Sequence, residues 1–150
     1  MAFDVHVRER ILRPIGDVFA AVIDPEEMSH YFISKGSARL EAGKDITWEF
    51  ADVGTRVHIH VLEVVPDSLI VYESKALGDL IRTTIRFEPD GPDATVVTIT
   101  DSAFPMTVEG VKRALGQSAG WTHTLCGLKA YLHFGINLRE GLNKRLTDVG

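Results

Sequence analysis

Cysteine is almost absent from the chain, with Cys126 the single example in 150 residues. One thiol excludes an intrachain disulfide and is typical of a reducing compartment, so we expect a cytoplasmic protein. Because Cys126 lies inside an apolar helical pattern, we interpret it as a small core residue rather than a catalytic thiol.

Positive charge and long apolar runs are also scarce. The 16 lysines and arginines are outnumbered by 21 acidic residues, which gives a net charge of -5 and argues against a general nucleic-acid-binding protein. No apolar run is long enough to span a bilayer, and the N-terminus alternates apolar and charged residues, unlike a secretory signal. We interpret Arg139, Lys144 and Arg145 as cations that interact favourably with the dipole at the C-terminal end of a helix.

Motifs for catalysis and cofactor binding are missing as well. The chain contains no GxSxG, no GxxxxGK[ST] and no GxGxxG, so we assign no catalytic residue and expect no cofactor. His58 and His60 stand two apart on a strand, a spacing that suits a metal, with Glu73 as a third ligand. On a charged sheet face, however, a histidine opposite a glutamate is an ordinary cross-strand pair, and we expect no metal.

The chain does contain the strand and helix patterns of a single domain, residues 1–150. Alternation predicts a strand from Phe3 to Leu12, Pro14 opens a helix, and Asp24, Pro25 and Glu27 resemble a capping box for a second short helix. Gly116 should stop a further short helix that begins at Thr107. Six more strands are expected near residues 37–40, 45–50, 56–65, 68–75, 80–88 and 94–100, separated by turn-prone segments.

The last helix is the most informative segment, from Gly120 to Leu138. One apolar stripe is lined by Trp121, Leu125, Leu128, Leu132 and Ile136. A second stripe beside it is formed by Thr124, Tyr131, Phe134 and Leu138. A surface helix needs only one narrow stripe. We therefore predict an α+β fold, in which a curved antiparallel sheet of six or seven strands wraps around this helix.

Hairpin register predicts which side chains face the helix, since a slip of one residue would invert every side chain. Even loops pair His60 with Glu73, Ile59 with Ser74 and Tyr72 with Ile85. This register places His58, His60 and Glu73 on the outer face. The inner face and the helix stripe then supply a candidate ligand site, composed of Phe32, Trp48, Phe50, Ile59, Tyr72, Ser74, Thr83, Ile85, Trp121, Leu125 and Leu128.

Two interpretations of this interior stay open. An apolar lining with a few hydroxyl groups is typical of a small-molecule pocket. Protein interiors are close-packed as a rule, however, so the same side chains could fill the space between sheet and helix completely.

The segments PIGDVFAAVIDPEEMSHYF and GWTHTLCGLKAYLHFG resemble the activator-of-Hsp90-ATPase-like branch of the START/Bet v 1 (SRPBCC) superfamily. VLEVVPDSLIVYES and DATVVTITDSAF resemble its middle motifs. The resemblance implies a helix-grip fold with a hydrophobic cavity between sheet and helix, often occupied by lipids or polyketides. Where the family commonly has Trp before Phe, Tyr31 precedes Phe32 here, which predicts a more polar lid.

Three functions follow from the pattern and the resemblance together. The first is noncatalytic binding of a small hydrophobic or aromatic, lipid- or polyketide-like ligand. The second is an enzyme of cyclase or hydrolase type that uses the same cavity, with Tyr72 or Glu63 as acid or base. The third is a protein-interaction module that contacts an Hsp90-type chaperone or a second copy of the chain.

Overall fold

The computed structural model describes residues 1–76 and 79–140, without the side chains of residues 76 and 79. Seven strands form one antiparallel sheet, and three helices accompany it. The elements in chain order are β1 Ala2–Ile11, α1 Ile15–Ile23, α2 Pro25–Met28, β2 Lys35–Gly36, β3 Asp45–Phe50, β4 Thr55–Val65, β5 Leu69–Ala76, β6 Asp79–Pro89, β7 Thr95–Pro105 and α3 Val108–Phe134.

The sheet has the order β1-β7-β6-β5-β4-β3-β2, so a meander runs from β2 to β7 and β1 joins its far edge. The inner face carries buried apolar side chains from alternate positions of every long strand, as period-2 patterning requires. The predicted helix-grip α+β fold is confirmed. The strand expected at residues 37–40 is instead the two-residue β2, which pairs Gly36 with Trp48.

The predicted register is correct for β4 and β5 as far as Val61, the pairing shifts by one residue at a bulge between Val61 and Glu63, and the prediction is wrong by two residues for β5 and β6. Ile59 pairs with Ser74 and His60 with Glu73, as expected. Tyr72, however, lies opposite Thr83 rather than Ile85. Gly78, in the predicted turn with Asp79, lies outside the described residues. A shift of two residues leaves every side chain on the same face, so the assignment of inner and outer faces still holds.

The two short helices close one end of the sheet. Pro25 occupies the first turn of α2, and the Asp24 carboxylate accepts a hydrogen bond from the Glu26 backbone N–H at 2.9 Å, a simple N-cap instead of the predicted capping box. Tyr31 is buried and donates its hydroxyl to the Ala21 carbonyl oxygen at 2.9 Å. This hydroxyl serves the backbone, so the lid is less polar than the sequence predicts.

The C-terminal helix differs most from its prediction. A single helix, α3, runs through Gly116 without interruption from Val108, and it ends at Phe134, where Gly135 adopts a left-handed conformation. Ile136 and Leu138 therefore lie beyond the helix and are exposed. Cys126 is also exposed, so its assignment to the core is wrong: it lies next to Leu125 but on the outer side of the helix.

One edge of the sheet holds α3. Its closest strands are β1 and β7. Lys129 donates to the Glu9 carboxylate at 3.0 Å, and the Leu12 backbone N–H donates to His133 Nε2 at 2.8 Å. Burial, with Arg13 and Lys129 nearby, lowers the pKa of His133, which favours the neutral ring that can accept this bond. These contacts fix the helix along β1, at a distance from the strands of the opposite edge.

We predict opposite effects of alanine at two glycines of α3. A Cβ on Gly110 would collide with the Pro105 carbonyl oxygen, whereas a Cβ on Gly116 would meet nothing within 4 Å. Gly110→Ala should reduce the free energy of unfolding by at least about 2 kcal/mol through overpacking. Gly116→Ala should increase it by about 0.5–1 kcal/mol because alanine is the better helix former. Urea denaturation measures both, and equal effects would contradict the continuous helix.

Candidate ligand-binding cleft

A cleft of about 1010 Å³ opens between α3 and the strands β3 to β6. It lies beside the half of the inner face that is farther from α3, since the helix packs most closely on β1 and β7. Trp48, Ile59 and Tyr72, which line it, are themselves largely buried. Eight of the predicted site residues line this cleft: Phe32, Trp48, Phe50, Ile59, Tyr72, Ser74, Thr83 and Trp121. The interior is therefore not completely filled.

Deeper between sheet and helix, the interior is packed. The remaining space there is about 20 Å³, close to the volume that one water needs. The other three predicted site residues, Ile85, Leu125 and Leu128, line this small space and not the cleft. The interior is thus a filled core beside α1 and α2, with a cleft beside β3 to β6. The interpretation of that cleft as a small-molecule pocket stays a prediction.

Aromatic rings form the boundary between these two spaces. The Phe32 ring centroid lies 5.3 Å from that of Trp48, 5.3 Å from that of Phe50 and 5.5 Å from that of Trp121. The Trp48 ring in turn meets Tyr72 edge-on at 5.3 Å. Edge-to-face packing of this kind fixes ring orientations. One wall of the cleft is therefore a preformed aromatic surface.

A buried carboxylate lies behind the wall of the cleft. Asp101 of β7 is fully buried, and its side chain accepts three hydrogen bonds. The donors are the Thr83 hydroxyl at 2.6 Å, the Trp121 Nε1–H at 2.7 Å and the Gln117 Nε2–H at 2.8 Å. All three donor residues line the cleft. Asp101 therefore fixes the wall from behind.

The sequence prediction missed Asp101, although a signal was present. Val97, Ile99 and Asp101 occupy successive inward positions of β7, so the alternation continued one step beyond the predicted strand end at Thr100. Gln117 was missed because the predicted break at Gly116 separated it from the apolar stripe, and Gly120 because it has no side chain to indicate a site. Thr124 was recognised as part of the second stripe but not as a site residue.

Tyr72 is a neutral phenol in this environment. Burial raises its pKa well above the ordinary value, and the nearby charge of Asp101 raises it further. Trp48 differs from Trp121 in one respect: its Nε1–H is buried and has no partner among the described residues. Of the two tryptophans of the cleft, Trp121 thus has a hydrogen-bond acceptor for its indole N–H, and Trp48 has none among the described residues.

The rim of the cleft is charged. Arg139 forms an ion pair with Asp52, and its guanidinium lies 5.6 Å from the centroid of the Phe50 ring. Arg139 lies beyond the last turn of α3, and its interpretation as a helix-dipole cation stays a prediction. Lys144 and Arg145 lie outside the described residues. On the outer sheet face, His60 bonds to Asp45 and His58 to Thr47, as cross-strand neighbours.

Among residues 1–76 and 79–140, no group of three histidine, cysteine or acidic side chains is placed to hold a metal ion. No helix in that part of the chain has the length and apolar character to cross a membrane. An exposed apolar row does occur at the start of α3, formed by Val108, Val111 and Leu115. The predicted contact with a chaperone or a second copy stays a prediction.

Comparison with known families identifies the fold. The model of the family described as activator of Hsp90 ATPase homolog 1-like protein matches residues 13–133, most of the chain. The chain belongs to this family. The resemblance drawn from the terminal motifs is thereby confirmed. No protein of curated function gave a match.

Solved structures of the Hsp90-activator-like fold agree. The protein SSP2350 from Staphylococcus saprophyticus is 31% identical, with a TM-score of 0.79, over 91% of this chain and 96% of that one. DynU16, from the dynemicin biosynthetic locus, is 24% identical with a TM-score of 0.79, over 89% of this chain and 48% of its own. The Aha1 dimer from Colwellia psychrerythraea is 17% identical with a TM-score of 0.74, over 88% of this chain and 97% of that one. The last two show the fold alone.

The two tryptophans allow a matched test of the Asp101 network. Trp121→Phe removes a donor from a buried carboxylate, whereas Trp48→Phe removes a donor that has no partner in the described structure. Both changes delete the same atoms. We expect Trp121→Phe to cost about 1.5–3 kcal/mol more of unfolding free energy than Trp48→Phe, as for hydrogen bonds to charged groups. Chemical denaturation measures the difference, and equal costs would contradict the network.

Proposed function

We propose that this protein binds a small, largely apolar or aromatic molecule in the cleft between α3 and β3 to β6, without catalysing its conversion. The observation that carries the proposal is the cleft itself, about 1010 Å³ in volume. Ligand pockets commonly measure about 300–1,000 Å³, so the space suits a drug-sized molecule with several rings or a long chain.

The aromatic and aliphatic part of the lining supports an apolar ligand, while charged side chains such as Arg56, Glu73 and Lys75 also border the cleft. The ligand is expected to contact Phe32, Trp48, Phe50, Ile59 and Trp121, with Tyr72, Ser74 and Thr83 among the nearby hydroxyl groups. Ile85, Leu125 and Leu128 support it from the packed core behind. Apolar contact supplies most of the affinity in such sites, and a few fixed polar groups orient the molecule.

Preorganisation also supports binding. The rings around Phe32 already contact one another, and Asp101 already holds Trp121, so the ligand would not have to order these side chains on arrival. Rigid walls reduce the entropy cost of association. DynU16, which shares the fold, belongs to a biosynthetic locus, and this is consistent with a small organic molecule as the ligand.

The test is to fill the cleft from α3. Gly120 lines the cleft, and a Cβ there would meet nothing within 4 Å; Gly116 has the same free space one turn earlier, outside the lining. We expect the neutral fluorophore N-phenyl-1-naphthylamine to bind the wild type with 1:1 saturation. Gly120→Phe should weaken binding by at least about tenfold, the effect of losing about 1.4 kcal/mol of contact.

Gly116→Phe is the matched control and should bind the fluorophore like the wild type. Circular dichroism and thermal denaturation establish that both variants fold. Absence of saturable binding to the wild type, or equal loss in the two variants, would contradict the proposed function.

A further inference from the structure

The proposed binding site leaves one group unexplained, the buried carboxylate of Asp101. It has no exposed surface, and none of the ion pairs among the described residues includes it. Three neutral donors solvate it instead. A charge buried with neutral partners retains its field, because no opposite charge cancels it. A negative potential therefore extends from Asp101 to the surface of the cleft.

The field of Asp101 reaches Tyr72, which lines the cleft. Burial raises the pKa of Tyr72, and the charge of Asp101 raises it further. The cations at the rim oppose the field only weakly. Arg56 is paired with Glu49 and Arg139 with Asp52, while Lys75 is exposed to solvent. Charges in contact with water are screened far more than buried ones.

Of the three donors on Asp101, Gln117 is the one that can be replaced. Thr83 is 2% exposed and lies within the sheet, and Trp121 is 9% exposed within the aromatic wall. Gln117 is only partly buried and borders the cleft directly. Gly120, three residues later on the same helix face, has open space around it. The Gln117 amide can thus swing aside and expose the carboxylate oxygen Oδ2.

We propose that Asp101 is the polar recognition group of the cleft, and that the ligand is an apolar molecule bearing a hydrogen-bond donor, an amine or a hydroxyl, which replaces the Gln117 amide on Oδ2. An ammonium group gains most, because it meets an uncancelled negative charge in a site of reduced dielectric constant. A carboxylate end is repelled, so fatty acids and other organic anions are disfavoured. The inference rests on the proposed binding function.

The test compares four probes that share one ring system: 2-naphthylmethylamine, 2-naphthalenemethanol, 2-(methoxymethyl)naphthalene and 2-naphthoate. Isothermal titration calorimetry at neutral pH gives their affinities for the wild type. We expect the amine to bind on the order of tenfold more tightly than the ether, and the carboxylate to bind most weakly. The alcohol should lie between amine and ether.

Two variants connect this order to Asp101. Asp101→Asn should reduce the preference for the amine over the ether to about threefold or less, since the charge is gone. Gln117→Ala removes the competing donor and should tighten amine binding roughly threefold to tenfold, the range for one hydrogen bond. Ser118→Ala, next to Gln117 but outside the lining, is the control and should leave all four affinities unchanged.

The outcomes separate the two proposals. If no probe binds, the proposed function fails and the inference fails with it. If all four probes bind equally, the cleft binds apolar molecules but Asp101 does not recognise them, which overturns the inference alone. Should Asp101→Asn fail to fold, the order of the four affinities for the wild type and the tighter amine binding of Gln117→Ala still test the inference. An unchanged amine affinity in Gln117→Ala would contradict the exchange at Oδ2.

Discussion

The attachment of α3 to β1 is the constraint on which the rest of the structure depends. The ion pair of Lys129 with Glu9 and the hydrogen bond from Leu12 to His133 hold the helix along one edge of the sheet. A helix about 10 Å in diameter cannot also cover the opposite strands of a seven-stranded sheet. The packed core and the open cleft are thus two consequences of one off-centre helix.

The buried carboxylate is the second feature that distinguishes this interior. Removing a charged group from water is costly, and replacing it by a well-packed apolar residue is often neutral or stabilising. Asp101 is nevertheless buried, and it accepts three hydrogen bonds that all come from cleft residues. Local rules of sequence and structure are broken most often at functional sites. The position of Asp101 is consistent with a role in recognition rather than in stability.

Sequence patterns predicted most of the fold and only part of the site. Alternation assigned Tyr72 and Thr83 to the inner face even where their register was wrong, because a shift of two preserves the face. The predicted stop at Gly116 failed because a glycine costs a helix only about 1 kcal/mol, less than the packing of its neighbours supplies. Asp101 could not be assigned a role, since its donors Gln117 and Trp121 come from another element.

We propose that a ligand occupies the space left by the off-centre helix. Isotope-filtered nuclear Overhauser spectroscopy of the labelled protein with unlabelled N-phenyl-1-naphthylamine is the decisive measurement. We expect contacts from the rings of the ligand to Tyr72, Trp121 and Thr124, which border the cleft. Contacts instead to the exposed row of Val108 and Leu115 at the start of α3 would contradict it.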